Sequence, residues 1–344
     1  MAVRGFLLAT AIGATILSGA GGAQAEIISA SRMLQGVSMT QTQCKLNYNA
    51  VWVTASGRSF CIRYYVSIAG GQGLFPVIHL SGDKLGRIQR DGSFDPSSAE
   101  DVDTDRLQKI ADELSKKTGG PAIYVARIGI DGSSGSHLVR RSWLELYVIN
   151  AALDAIKEKH GLTGYHLVGQ SGGAGLIGGL LGLRNDIGCA VPGSGRLALL
   201  KRQQPKEDED LEHFDALEAI PHIVQKSKAR ILVVTDPHDQ QVRSEHQTTF
   251  VQRLRQAGGR ADQFFITATD EKHHGATAYA HYAVAACIRG ATSQEIQAGL
   301  AELVSKRVQA AQSRGASPRE AERRPSAQPR YPQDRATLGG RYYR

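Results

Sequence analysis

Five residues near the middle of the chain, Gly169-Gln170-Ser171-Gly172-Gly173, constrain its fold more than any other segment. The short apolar run Tyr165-His166-Leu167-Val168 precedes them, and small and aliphatic residues at 174–183 follow. The spacing predicts a strand, a sharp turn and a helix. Glycines are needed around Ser171 because side chains there would collide with the neighbouring strand and helix, and the serine is left on a strained turn with its hydroxyl exposed. A chain with 38 glycines produces G-x-S-x-G easily by chance, so the strand before it and the helix after it carry the weight.

The flanking sequence repeats the same alternation. Residues 37–68 alternate around Ala55-Ser56-Gly57 and predict two antiparallel strands. Phe75-Pro76-Val77-Ile78-His79-Leu80 reads as a buried strand, 100–117 as a helix, and 122–128 as the next strand. Residues 140–160 form a long helical pattern that Gly161 stops. Past the serine turn, 187–191, 230–235 and 263–268 read as strands, with helices at 252–257 and 278–289. Thr292-Ser293-Gln294-Glu295 is a capping box that opens a last helix. This order implies an α/β fold with a mostly parallel sheet covered by helices on both faces. The charged stretch 201–215 interrupts it, so 196–229 reads as a small lid insertion in a single domain spanning 26–305.

Both ends fall outside that domain. Arg4, an apolar stretch over 6–17 and Ala23-Gln24-Ala25 have the layout of a signal peptide over 1–25, with the mature chain starting at Glu26. The chain is therefore expected to be exported, periplasmic or secreted. Between 306 and 344 there are ten Lys and Arg against three Asp and Glu, a net +7 of the whole chain's +8. The body is thus close to neutral, and the basic character belongs to a Pro- and Ser-containing tail expected to be disordered. Its charge suits contact with anionic envelope surfaces. Export removes the usual nucleic-acid partner, and no nucleic-acid motif occurs, so no specific nucleic acid is expected.

Four cysteines, Cys44, Cys61, Cys189 and Cys287, allow three complete pairings. Cys44 and Cys61 flank the predicted hairpin, which favours a Cys44–Cys61 bridge with Cys189–Cys287 as the remainder; four buried free thiols are the alternative. None has the neighbours of a zinc site and no H-E-x-x-H occurs, so no metal and no cofactor are expected.

The order serine, acid, histidine along such a sheet resembles the α/β-hydrolase family over residues 75–289. Ile231-Leu232-Val233-Val234-Thr235-Asp236-Pro237-His238-Asp239-Gln240-Gln241-Val242 is similar to that family's strand-G-x-x-D-x-x-V segment, with Asp236 where glycine is common. The resemblance implies Asp239 as the acid, with Asp236 as the alternative. In Thr269-Asp270-Glu271-Lys272-His273-His274-Gly275 the glycine after the histidine implies His274 rather than His273. It further implies an oxyanion hole from the N–H of Gly172 and a donor in His79-Leu80-Ser81-Gly82-Asp83, at Gly82 or Asp83. The loop after strand 122–128 is a candidate substrate wall through Arg127, Ser134 or His137.

A serine hydroxyl needs a neutral imidazole to take its proton, and the imidazole needs a carboxylate to fix its tautomer. The resemblance therefore implies an exported serine hydrolase that cleaves a carboxylic ester through an acyl-enzyme of Ser171, His274 and Asp239. One alternative is a serine peptidase or amidase of the prolyl-oligopeptidase-like type, since the compact lid and the late His-Gly resemble the prolyl-oligopeptidase-like and dienelactone-hydrolase-like branches. Another is a non-catalytic envelope-binding protein on the same scaffold. The partner is then a small-molecule ester or a short peptide; nothing in the sequence sets the oligomeric state.

Overall fold

The computed structural model describes residues 27–28, 35–84, 102–199 and 213–315. The expected signal peptide, most of the tail and residues 200–212 of the expected insertion lie outside the described residues. Strands β1 (Ile27–Ile28) and β5 (Val102–Asp103) pair with each other, antiparallel. The remaining strands make one eight-stranded sheet. β2 (Ala50–Ala55) and β3 (Arg58–Ser67) form a hairpin whose two turn residues, Ser56 and Gly57, have φ of 49° and 72°, the left-handed pair that a two-residue connection requires.

The others are β4 (Val77–Leu80), β6 (Ala122–Val125), β7 (Tyr165–Gln170), β8 (Ile187–Gly193), β9 (Arg230–Thr235) and β10 (Ala261–Phe265). The sheet order is β10-β9-β8-β7-β4-β6-β3-β2, parallel from β10 to β6 and antiparallel in the last two pairings. The chain leaves β4 for β6 on one side and returns to β7 on the other. The gap beyond the carboxyl ends of β4 and β7 is thus a topological switch point, where α/β sheets place their ligands.

Side chains alternate across the sheet. Ile78, Leu167, Ala190, Ile231 and Val233 join one core, beneath helices α3 (Trp143–His160), α4 (Gly172–Leu183), α5 (Ile220–Lys226) and α6 (Glu245–Gln256). Val77, Val168, Val191, Leu232 and Val234 join the other, beneath α7 (Thr277–Ile288) and α8 (Ser293–Gly315). Helix α2 (Thr104–Thr118) packs on the same side as these two through Leu114. Period-2 strands buried on both faces are what a parallel sheet between two helix layers demands. Both expected disulfides form: Cys189 on β8 to Cys287 on α7, and Cys44 to Cys61 on β3. Among the described residues no helix is long and apolar enough to cross a membrane.

Several boundaries depart from the sequence reading: the helix expected over 252–257 starts at Glu245, and the strand expected over 263–268 spans Ala261–Phe265. Residues Gln41–Lys45 form a short helix, α1, where strand was expected, because Thr40 and Gln43 cap each other's backbone N–H groups. The second half of the expected lid is part of the body: Phe214, Ala216, Ile220 and Ile223 enter the core, and Ser142 pairs with His213. Lastly, α8 runs to Gly315, so 306–315 is helical rather than disordered. The Thr292–Glu295 capping box starts it, and Ile296 and Leu300 bury it.

Candidate active site

Ser171 follows the last residue of β7 with φ 55° and ψ −118°, a conformation that non-glycine residues rarely hold. Packing enforces it. A Cβ on Gly173 would lie 2.2 Å from the Leu80 carbonyl oxygen, and one on Gly169 2.8 Å from the same atom. The end of β4 therefore presses directly on the turn, leaving room for glycine alone. Ser171 N–H donates to Gly193 O at 3.0 Å, and Ser171 O accepts from Gly175 N–H as α4 starts. The N–H groups of Gly172, Gly173 and Ala174 consequently have no partner within the helix, and the positive end of α4 is at the serine. Gly82 closes over it: a Cβ there would be 3.2 Å from Ser171 Cβ and 3.8 Å from Oγ.

Two loops bring Asp239 and His274 together. After β9, Asp239 turns back on itself, and its Oδ1 accepts from the N–H groups of Gln241 (2.8 Å) and Val242 (2.9 Å). Its Oδ2 lies 2.8 Å from Nδ1 of His274. His274 is itself clamped from three directions. Its N–H donates to Asp270 Oδ2 at 2.9 Å, its carbonyl accepts from Gln170 Nε2 at 2.5 Å, and Asp239 holds its ring. With Nδ1–H donated to a carboxylate, Nε2 is left with its lone pair free to accept a proton. Burial would raise the Asp270 carboxyl, but the N–H groups of His274 and Gly275 hold it below its ordinary value, so the loop's anchor stays ionised.

A second Asp–His pair lies beside the first. Asp236 is fully buried, and its oxygens accept from Ala268 N–H (2.7 Å) and His238 N–H (2.8 Å). His273 Nδ1 reaches it only at 3.3 Å, from a backbone at φ 53°. Asp236 ties the β9 and β10 loops together, whereas Asp239 is directed to the imidazole.

The expected substrate wall is built into the scaffold instead. Arg127 is fully buried between Glu145 and Asp83. Ser134 Oγ accepts from Cys61 N–H at 2.8 Å. His137 donates from Nδ1 to Ile128 O (2.9 Å) and faces Lys84 N–H with Nε2. Burial and then Arg127 push this histidine down to about 3, so it is neutral. These bonds tie the glycine-rich loop inward: His137 satisfies the loop's own Ile128 carbonyl, Ser134 the Cys61 N–H of β3, and Arg127 the Ser81 carbonyl, which removes all three side chains from solvent.

Glu145, Arg141 and Gln170 carry contacts at this site that sequence reasoning missed. Ser142-x-x-Glu145 is a capping-box spacing, and Ser142 does cap α3. The Glu145 carboxylate, however, turns to Arg127 and to the Arg141 N–H. A cavity of about 280 Å³ lies between α3, α4 and residues 214–222, lined by Trp143, Tyr147, Leu183 and Phe214. It opens beside Gly179, about 12 Å along α4 from Ser171, so it belongs to another part of the surface. Among the described residues no three His, Cys, Asp or Glu side chains gather in a way that could hold a metal ion.

The sheet order, the strained serine between β7 and α4, and the Asp239 and His274 loops after β9 and β10 define an α/β-hydrolase fold. No family model matches the chain, and no curated protein matches it. Similar solved structures include Est1E from Butyrivibrio proteoclasticus with ferulic acid bound, at 15% identity over 70% of this chain and 97% of that one, TM-score 0.46. The Pyrococcus furiosus esterase Pf2001 is similar at 15% identity over 80% and 96%, TM-score 0.46. A puromycin-hydrolyzing peptidase of Mycobacterium tuberculosis is similar at 13% identity, TM-score 0.48; the match covers 74% of this chain and 42% of the peptidase.

Proposed function

We propose that the chain is a serine hydrolase that cleaves a carboxylic ester through an acyl-enzyme. Ser171 Oγ attacks the carbonyl carbon while His274 Nε2 takes the hydroxyl proton, and Asp239 steadies the imidazolium that forms. The Gly172 N–H, with an N–H from Gly82 or Asp83, receives the oxyanion. The imidazole then passes its proton to the leaving alcohol, and water repeats the sequence to release the acid. The observation that carries this reading is the 2.8 Å contact of His274 with Asp239, on a loop that Gln170 ties to the residue beside Ser171. The reading also places the protein in an oxidising compartment after export; the two disulfides support this.

A fluorophosphonate probe tests the assignment. Wild type should be labelled and Ser171→Ala should not. Absence of labelling on folded wild type would leave the envelope-binding scaffold as the better reading. A panel of p-nitrophenyl esters beside aminoacyl p-nitroanilides separates esterase from peptidase, with turnover expected on the esters.

A further inference from the structure

Four residues around the donor loop form a closed ring of charge-assisted hydrogen bonds. Arg127 donates from Nε and one terminal nitrogen to Glu145 (2.9 and 2.7 Å), and from the other to Asp83 Oδ1 (2.7 Å). Arg141 donates from Nε to Asp83 Oδ2 at 2.6 Å, and its backbone N–H donates to Glu145 Oε2 at 2.6 Å, which closes the ring. Arg127 also reaches the Ser81 carbonyl at 3.3 Å. Just beyond, Lys84 Nζ meets Asp131 at 2.5 Å. The stretch Ser81-Gly82-Asp83-Lys84 is thus held at three of its four residues, and the remaining one, Gly82, lies against Ser171.

The placement of Asp83 needs an explanation. A Cβ on Gly172 would lie 2.0 Å from Asp83 Oδ1 and 2.5 Å from a terminal nitrogen of Arg127. A carboxylate therefore sits against the first residue of α4, whose N–H is the assigned oxyanion donor. Left alone, a negative charge there would oppose a second one forming on the substrate. Two guanidinium groups bonded directly to Asp83 and a third, that of Arg140, at 3.9 Å offset it. Burial would raise the Asp83 carboxyl, but Arg141 and Arg127 hold it well below the usual carboxylate range. It therefore remains an anion that its partners grip. Arg141 accepts a left-handed backbone at φ 65° in this arrangement.

We propose that the Asp83–Arg127–Glu145–Arg141 ring is a positioning clamp, which aims the 81–84 donor loop at the oxyanion and cancels the Asp83 charge beside Gly172. This rests on the reading of Ser171 as nucleophile. The clamp's side chains touch no reacting atom and act through the backbone of the donor loop, so their loss should lower the rate of the chemical step and spare substrate binding. It explains why a loop expected to touch substrate through Arg127 uses that side chain in full burial instead.

The test is steady-state hydrolysis of p-nitrophenyl acetate, together with the fluorophosphonate labelling rate and a thermal melt. Asp83→Ala removes the tether and should lower kcat about 100-fold with KM changed by less than about threefold, as for loss of an oxyanion donor. Asp83→Asn keeps an acceptor for one arginine and turns an amide NH2 toward the other, so its kcat should fall between those of wild type and Asp83→Ala. Arg141→Gln changes the partly exposed member of the ring, so it should stay folded and lose about tenfold in kcat. Wild-type kcat in folded Asp83→Ala, or a raised KM at unchanged kcat, would overturn the clamp. Should Asp83→Ala fail to fold, Arg141→Gln decides alone, and unchanged kcat there overturns it. Unlabelled wild type removes the nucleophile reading itself, and the clamp with it. Labelled wild type with indifferent variants removes only the clamp.

Discussion

The imidazole Nδ1 of His274 lies 2.8 Å from Oδ2 of Asp239 and 3.0 Å from Oδ1, while neighbouring His273 lies 3.3 Å from Asp236. Two acids three residues apart thus face two adjacent histidines, and their other bonds tell them apart. Asp239→Asn preserves shape but offers His274 an amide, which supports the wrong tautomer; kcat should fall on the order of 10⁴-fold with little change in melting temperature. Asp236→Asn weakens the bonds to Ala268 and His238 N–H, so it should lower the melting temperature and leave kcat within about tenfold. If the Asp236 change alone abolished turnover, the acid would be misassigned.

The elbow's glycines are expected to be irreplaceable for steric reasons. Ala at 173 places Cβ 2.2 Å from the Leu80 carbonyl oxygen and 2.5 Å from that of Ser81, both backbone atoms of the neighbouring strand end. Gly173→Ala should destabilise by about 3 kcal/mol or more, or fail to yield soluble protein. Gly290 is a control: it has φ 76° and nothing within 4 Å of an added Cβ, so alanine there meets backbone strain alone. Its cost should stay near about 1 kcal/mol. Equal melting temperatures for the two variants would refute the steric account.

The elbow and the order of strands and helices were legible because each rests on local chemistry. Glycine at 169, 172 and 173, period-2 strands, and a glycine closing the long helix at 161 are written into consecutive residues. The choice between Asp236 and Asp239 was legible only as a preference, since both carboxylates occupy the same loop and their partners lie some thirty residues downstream. The clamp was hidden for the same reason. Glu145, Arg127 and Asp83 come from three separate segments, and nothing in the residues around Glu145 shows that its carboxylate turns to Arg127. The fate of His137 and Ser134 depended on an inward fold of the 127–137 loop, which composition alone cannot distinguish from a surface loop.

Acid should destabilise the fold through its buried histidines. Burial and then Lys84 push His79 down to about 4, and its Nδ1 meets His281 Nε2 at 3.0 Å. Burial, then His79 and Lys117, hold His281 well below its ordinary value. A histidine whose folded pKa is depressed binds its proton first in the unfolded chain. Its stabilisation is therefore complete above about pH 6.5 and declines as pH falls toward about 4. Melting temperature should be flat around neutral pH and fall across that acid window. His79→Asn should flatten the fall, by at most about 1.4 kcal/mol per pH unit for one proton. Parallel pH profiles for the two proteins would count against this pair as the source.

Helix α8 moves the edge of the folded body past the point where basic residues begin to accumulate. Ile296 and Leu300 are fully buried, Leu303 and Val304 pack beside them, and the Arg307 guanidinium lies 5.6 Å from the centre of the Tyr279 ring. A chain ended after Gly315 keeps all of these contacts, and its kcat and melting temperature should match the full-length protein. A chain ended after Val304 loses the Arg307–Tyr279 contact, worth about 0.5–1 kcal/mol, together with the helix's last turns. Its melting temperature should drop by a few degrees, roughly 2–4 °C per kcal/mol lost. The shorter deletion also removes seven basic and three acidic residues, and so about half of the chain's +8. Retention on anionic lipid vesicles should fall with it at low salt while turnover of a soluble ester is unaffected. Loss of turnover on removing 316–344 would instead give that segment a part in catalysis.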